Sequence, residues 1–307
     1  MISSLTAPVK KILSHYETDT PGVKASLIRL LSWGRTGGTG RLVILPVDQG
    51  FEHGPDRSFA PNPAIYDPHH IFKLAIDGQV SAFAAPLGVL EAGADTFVGE
   101  VPLILKINSS NTLSSSTRPD QAVTGSIKAA LRLGCIGIGF TVYPGSDNYL
   151  HQLEEVRALI EEAKEQGLFT IIWSYPRSNM SKEGEQSIDV ISYGAHMACL
   201  MGAHIVKVKL PTKHLERPDI AKAFLAHNIP VDGLFNRVET VRRSCFAGRR
   251  MVVFSGGPSQ ETAHILQEAQ AIFDGGGTGS IIGRNAFQRP HAEGVALLHA
   301  IGDLYKG

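Results

Sequence analysis

Short apolar runs rich in valine and isoleucine recur along the whole chain, and each is followed by a loop and a stretch whose apolar residues repeat with helical periodicity. Runs of this length that are apolar at nearly every position are the mark of parallel strands buried on both faces, with crossover helices between them. Eight such runs are present: RLVILPV (41–47), VSAFAA (80–85), VPLILKI (101–107), CIGIGFTV (135–142), LFTIIWSY (168–175), AHIVKVKL (203–210), RMVVFS (250–255) and GSIIG (279–283). Helical stretches are predicted at 67–78, 86–93, 120–134, 147–167, 187–202, 214–228, 259–276 and 285–306. Three of them end on Gly134, Gly167 and Gly202 directly before a strand, where glycine suits a left-handed helix cap.

Eight βα units of about 30 residues predict an α/β fold, a (β/α)8 barrel of TIM type, within one domain spanning 1–307. Two additions are expected: an N-terminal helical extension over 1–38, and an insertion over 228–249 that carries an extra amphipathic helix before the seventh strand. A doubly wound open sheet would want GxGxxG after the first strand, where this chain has DQGFEHG.

Composition narrows the function classes. The 29 basic and 29 acidic residues cancel, so no global field favours nucleic acid or an anionic membrane, and any anion site must be local. Three cysteines, Cys135, Cys199 and Cys245, form no CxxC pair, which fits a reducing cytoplasm. With no signal-like or membrane-spanning run, a cytoplasmic protein is expected.

In a barrel the C-terminal ends of the strands face the active site, so polar residues there are the candidates. Asp48 ends the first strand, Lys106 lies in the third, and Trp173, Tyr175 and Arg177 close the fifth. Lysine inside an apolar strand is the main anomaly, because burial disfavours the ammonium and a deprotonated amine is a nucleophile that forms Schiff bases with ketones. Lys207 and Lys209 share one face of the sixth strand, so either amine could react, or one could serve as a structural ion pair. Ser255, Gly256 and Gly257 after the seventh strand, with Gly283 and Arg284 after the eighth, suit phosphate, since loop amides and a guanidinium fork both meet its oxygens. Tyr175 is a candidate proton carrier, Arg177 a second phosphate ligand, and Lys106 an aid to a phosphate or substrate oxygen. His53 could line the pocket, and His204 reads as packing. No histidine motif carries metal-ligand spacing, so neither a metal nor another cofactor is expected.

Taken together, LPVDQGFEHGP (45–55), IIWSYPR (171–177), HIVKVKL (204–210), FSGGPS (254–259) and IIGRNAFQRP (281–290) resemble the archaeal-type, or DhnA-type, class I fructose-bisphosphate aldolases. The resemblance runs in order from the first strand to the eighth. It implies a metal-independent lyase that cleaves fructose 1,6-bisphosphate through a lysine Schiff base, and a homo-oligomer. By that resemblance Lys207 is the Schiff-base lysine, Tyr175 the general acid/base and Asp48 a neighbour of the substrate hydroxyls. Ser255, Gly256, Gly257, Gly283 and Arg284 are then the phosphate site. Gln49 stands where many relatives have histidine, and LPTKH follows the lysines where YTGD is common. These departures leave open another phosphorylated ketose or ketone, handled by a related Schiff-base or thiolase-like enzyme, or a sugar-phosphate-binding barrel without turnover.

Overall fold

A computed structural model describes residues 5–113, 119–256 and 261–307. The eight apolar runs form eight parallel strands: β1 (Leu42–Pro46), β2 (Ala82–Pro86), β3 (Leu103–Lys106), β4 (Gly137–Val142), β5 (Phe169–Ser174), β6 (Ile205–Lys209), β7 (Met251–Ser255) and β8 (Gly279–Ile281). Each pairs with its neighbours in sequence, and β8 returns to β1 through Leu42↔Gly279, so the sheet closes into the barrel.

Strand alternation divides the core into two sets. Leu45, Phe83, Leu105, Phe140, Ile172, Val208 and Phe254 point outward and pack under the surrounding helices. Leu42, Ile44, Ala82, Ala84, Ile104, Phe169, Ile171, Trp173, Ile205, Met251, Val253 and Ile281 fill the interior. Two glycines make room for the bulk of β5. A Cβ on Gly137 would lie 2.5 Å from the Phe169 ring, and one on Gly139 only 1.8 Å from the indole of Trp173.

Helices Ala7–Leu13 and Pro21–Ser32 precede β1 and close the N-terminal end of the barrel, adding Val9, Tyr16, Leu27, Leu30 and Leu31 to the interior cluster. Tyr16 anchors this cap: its hydroxyl donates to the His204 carbonyl at 2.6 Å and accepts from the Met251 amide at 3.4 Å. His204, read from sequence as packing, is buried there in polar contacts, with Nδ1 2.9 Å from the Thr170 amide and Nε2 3.1 Å from the Asp19 carboxylate. The segment before β7 carries the helix Leu234–Ser244, within the insertion expected over 228–249.

Two predicted helices differ. Over 120–134 only Ile127–Arg132 is helical; Ala122–Val123 instead pairs with Asn108–Ser109 in a two-stranded antiparallel ribbon. The amides of Thr124 and Gly125 both donate to the Ile107 carbonyl, and Ser126 then caps the helix by accepting from the Ala129 amide at 3.1 Å. The stretch 285–306 splits into Arg284–Phe287 and His291–Leu304 because Pro290, with no amide hydrogen to donate, breaks the turn between them. Gly134, Gly167 and Gly202 all have positive φ, as their cap positions require. Among the described residues, no helix is long and apolar enough to cross a membrane.

Candidate active site

At the C-terminal ends of the strands a cavity of about 290 Å³ opens, bordered by side chains from the segments after β1, β3, β4, β5 and β8 and from β6 and β7. Its floor follows from the inward register of three neighbouring strands. Trp173 on β5 pairs with Lys207 on β6, which pairs with Val253 on β7; two residues on, Lys209 pairs with Ser255. Inward positions that are apolar lower down the barrel thus become ionisable at its mouth.

Lys207 is 4% exposed. Its ammonium nitrogen lies 5.3 Å from the centre of the Trp173 ring and 5.4 Å from that of Tyr175. Burial is the main reason its pKa is lowered to about 8; Asp48 and then Glu52 pull it up, and Lys106 and Lys209 push it down. Lys209 borders the same cavity and is also lowered to about 8, first by burial and then by Arg177. Tyr175 sits inside the barrel with its phenol pushed well above the usual 10 by burial and by the carboxylates of Asp48 and Glu52, while a hydrogen bond with Ser255 works the other way.

Arg177 borders the cavity, donating to the Pro176 carbonyl at 2.8 Å and to Glu185 at 3.2 Å, with its guanidinium carbon 5.9 Å from the Tyr175 ring centre. Ser255, Gly256, Gly283 and Arg284 line the side formed by β7 and β8; Gly257 lies outside the described residues. His53 lines the cavity as well, its pKa lowered by burial and by Arg57 and Arg284.

Two candidates stand apart from the opening. Asp48 is 8% exposed and acts on Lys207 and Tyr175 through its charge, without bordering the cavity. Lys106 is buried too, and its ammonium donates to the carbonyl and the side-chain oxygen of Asn108. Asn108 is itself fixed by the Thr141 amide and carbonyl, at 2.7 and 2.8 Å. Lys106 is therefore turned onto Asn108 beneath the reactive surface, and burial lowers its pKa.

Sequence reasoning missed several lining residues: Gln49 and Glu52 after β1, Ser110, Asn111 and Thr112 after the ribbon strand Asn108–Ser109, and Tyr143 after β4. Glu52 had a readable signal, standing four residues after Asp48 and so one helical turn further along Gln49–His53. The loop residues had none, because nothing local marks serine, asparagine or threonine as facing a cavity. Among the described residues, no group of three or more His, Cys, Asp or Glu side chains is placed to hold a metal ion.

Comparison with known proteins gives a consistent set of relatives. Residues 42–289 match the family model for the DeoC/LacD family aldolases. A probable class 1 fructose-bisphosphate aldolase of Chlamydia trachomatis is 35% identical, covering 98% of this chain and 90% of its own length. The class 1 fructose-bisphosphate aldolase of Halobacterium salinarum is 33% identical over 82% of this chain and 86% of its own. Among solved structures, an archaeal fructose-1,6-bisphosphate aldolase with its catalytic lysine bound to the carbinolamine intermediate superimposes with a TM-score of 0.76 at 27% identity, covering 92% of this chain and 99% of that one.

Proposed function

The chain belongs to the DeoC/LacD family of aldolases, and from that premise we propose that it is a class I aldolase that reversibly cleaves fructose 1,6-bisphosphate to dihydroxyacetone phosphate and glyceraldehyde 3-phosphate. The observation that carries this reading is the buried amine of Lys207, held over Trp173 and beside Tyr175 at the floor of a cavity whose far side offers Ser255, Gly256, Gly283 and Arg284. An amine with a pKa of about 8 is unprotonated in roughly one molecule in ten at pH 7, against about one in three thousand at the ordinary lysine value.

The Lys207 amine attacks the C2 ketone, and loss of water leaves an iminium that draws electrons from C3. As the C3–C4 bond breaks, the proton on the C4 oxygen passes to Tyr175, and the bond's electrons form the enamine. In the condensation direction the protonated phenol gives that proton to the aldehyde oxygen, which suits a group held protonated at rest. The new positive charge on the iminium nitrogen, beside the ring, favours the phenolate in the other direction. Ser255, Gly256, Gly283 and Arg284 bind one phosphate, with loop amides and a guanidinium at the β7 and β8 ends. Arg177 meets the second phosphate and Asp48 holds the amine in place by charge. Lys106 acts from below, two of its three ammonium donors being held by Asn108. The protein works as a homo-oligomer in the cytoplasm, without a metal.

Borohydride reduction in the presence of dihydroxyacetone phosphate tests the mechanism. One peptide, containing Lys207, should gain the mass of the reduced adduct, and activity should survive a chelator. An adduct on Lys209, or none, would reject this assignment of the nucleophile.

A further inference from the structure

The reacting atoms fix how a ketose lies across the barrel mouth. β5, β6 and β7 are neighbours in the sheet, and their C-terminal ends carry Tyr175, Lys207 and Ser255 in that order. With C2 on Lys207 and the C4 oxygen at Tyr175, the C1 phosphate falls on the β7 side and the C6 phosphate beyond β5. Arg177, two residues past Tyr175, borders the cavity there.

Its guanidinium is held by one corner. Among the described residues, both of its hydrogen bonds leave from Nη1, to the Pro176 carbonyl at 2.8 Å and to Glu185 Oε2 at 3.2 Å. The rings of Tyr143 and Tyr175 flank it, each centred 5.9 Å from its central carbon. Nη2 and Nε are left for a ligand, and together they form an edge that meets a phosphate with two parallel bonds.

Glu185 has little freedom of its own. It is 8% exposed and belongs to the turn Gly184–Gln186, in the strap that joins β5 to the helix Ile188–Leu200. The strap is tied to the segment after β6. The amide and hydroxyl of Ser181 donate to the two Glu216 carboxylate oxygens, each at 2.7 Å, and the Thr212 amide donates to the Gln186 carbonyl at 2.8 Å. The Gly184 amide donates to the Ser181 hydroxyl at 2.9 Å, and the Glu216 carboxylate leaves no room for a side chain at Gly184. Lys182 also pairs with Glu185, at 3.0 Å, but its side chain is 87% exposed and tethers weakly, so Arg177 is the partner that the buried carboxylate serves.

Resting on the aldolase reading above, we propose that Glu185 is a positioning residue that sets the preference for a ketose with two phosphates, acting through Arg177: by holding Nη1 it aims the opposite edge of the guanidinium at the C6 phosphate. Charge alone would act in the other direction. Glu185 also acts on Lys209, which borders the same cavity, and a carboxylate beside two cations weakens their pull on a phosphate. In a cavity open to water that pull is screened, whereas a rotated fork forfeits a bond to the phosphate, so orientation prevails.

The test is steady-state cleavage of fructose 1,6-bisphosphate and of fructose 1-phosphate, which lacks only the C6 phosphate. Glu185→Ala should raise KM for the bisphosphate on the order of tenfold, with kcat within about threefold of wild type, and should move KM for the monophosphate by less than about threefold. Glu185→Gln keeps an oxygen acceptor at the same reach and should recover most of the loss. In an Arg177→Ala background Glu185→Ala should add nothing, a coupling that mere damage to the strap would not produce. Lys182→Ala should match wild type on both substrates. Tighter bisphosphate binding by Glu185→Ala, equal losses on the two substrates, or losses additive with Arg177→Ala would overturn the proposal and leave the aldolase reading intact. So would a wild type that does not distinguish the two substrates. A wild type that cleaves neither would remove that reading, and this one with it.

Discussion

Gly139→Ala tests whether the barrel interior sets the position of the reactive amine. The added Cβ would meet Cζ3 and Cη2 of Trp173 at 1.8 and 2.1 Å, so the indole must move by roughly 1.5–2 Å to regain ordinary contact. Trp173 is 1% exposed, and its ring lies 5.3 Å from the Lys207 nitrogen and 5.9 Å from that of Lys106. Overpacking of this kind costs about 1–3 kcal/mol. For a chain of 307 residues the unfolding entropy is about 0.6 kcal/mol per degree, which turns that cost into a Tm loss of roughly 2–5 °C. Displacing a ring that supports the nucleophile by more than 1 Å should also lower kcat on the order of 100-fold. Gly137→Ala, which meets Phe169 one layer deeper, should give a comparable Tm loss with a much smaller effect on kcat. The clashing atoms belong to the benzo ring that phenylalanine lacks, so Trp173→Phe in the Gly139→Ala background should recover stability, giving a favourable coupling between the two sites. Calorimetry and steady-state kinetics on the wild type, Gly139→Ala, Gly137→Ala, Trp173→Phe and the double variant decide it. A Gly139→Ala protein with wild-type Tm and kcat would refute the argument that the β4 glycines exist to seat the β5 aromatics.

Lys207→Met should be inactive yet more stable than wild type at pH 7. The folded-state pKa of about 8 lies below the ordinary 10.5, so the unfolded chain binds the proton more tightly, and holding it in the folded state costs about 3 kcal/mol. That penalty is complete below pH 8 and disappears as pH rises towards 10.5, so the stability gap, followed by denaturant titration, should narrow over that interval; a gap independent of pH would contradict the burial argument. Tyr175→Phe should keep the trapped adduct on Lys207 while reducing cleavage by at least about 100-fold, since it removes only the later proton transfer; loss of the adduct as well would place Tyr175 earlier in the sequence. Tyr16→Phe should leave kcat unchanged and cost about 1–2 kcal/mol, seen as a lower Tm, because it strips the N-terminal cap of its bond to the His204 carbonyl.

The barrel was legible because strands buried on both faces are apolar at almost every position, and such runs cannot be confused with the half-polar helices between them. Lys207 was legible for the complementary reason: a charge in the middle of a run like HIVKVKL contradicts its surroundings. The same logic could not separate Lys106 from it. Both are inward-facing lysines near the C-terminal end of a strand, and only the coordinates place Asn108 against the Lys106 ammonium. The ribbon at 108–109 and 122–123 escaped because its hydrogen bonds to Ile107 come from backbone amides, which any sequence supplies. Glu52 escaped, despite standing one helical turn after Asp48, because a carboxylate just after a strand is ordinarily solvated; its significance comes from burial beside Asp48 and from three cations acting on it, none of which lies within 50 residues of it in the chain.

The arrangement of the interior explains why the costly groups sit where they do. The lower barrel is filled by large apolar side chains from β1, β5 and the N-terminal cap, tied together by the Tyr16 and His204 hydrogen bonds. The buried lysines stand towards the C-terminal ends of β3 and β6, and each has a carboxylate acting on it: Asp48 and Glu52 on Lys106 and Lys207, Glu185 on Lys209. These carboxylates raise the lysine pKa values, so they oppose the loss of the proton on which nucleophilic attack depends. Burial outweighs them at Lys207, which still comes down to about 8. The balance has a consequence for engineering. Substituting Asp48 by asparagine would lower the Lys207 pKa further and enlarge its neutral fraction, yet leave the iminium cation with less opposing charge. Attack should become easier at acid pH and the iminium less stable, so the acid limb of trapping should move down in pH while the trapped fraction at equilibrium falls. A mutant with both quantities raised would mean that the carboxylates do not counterbalance the iminium.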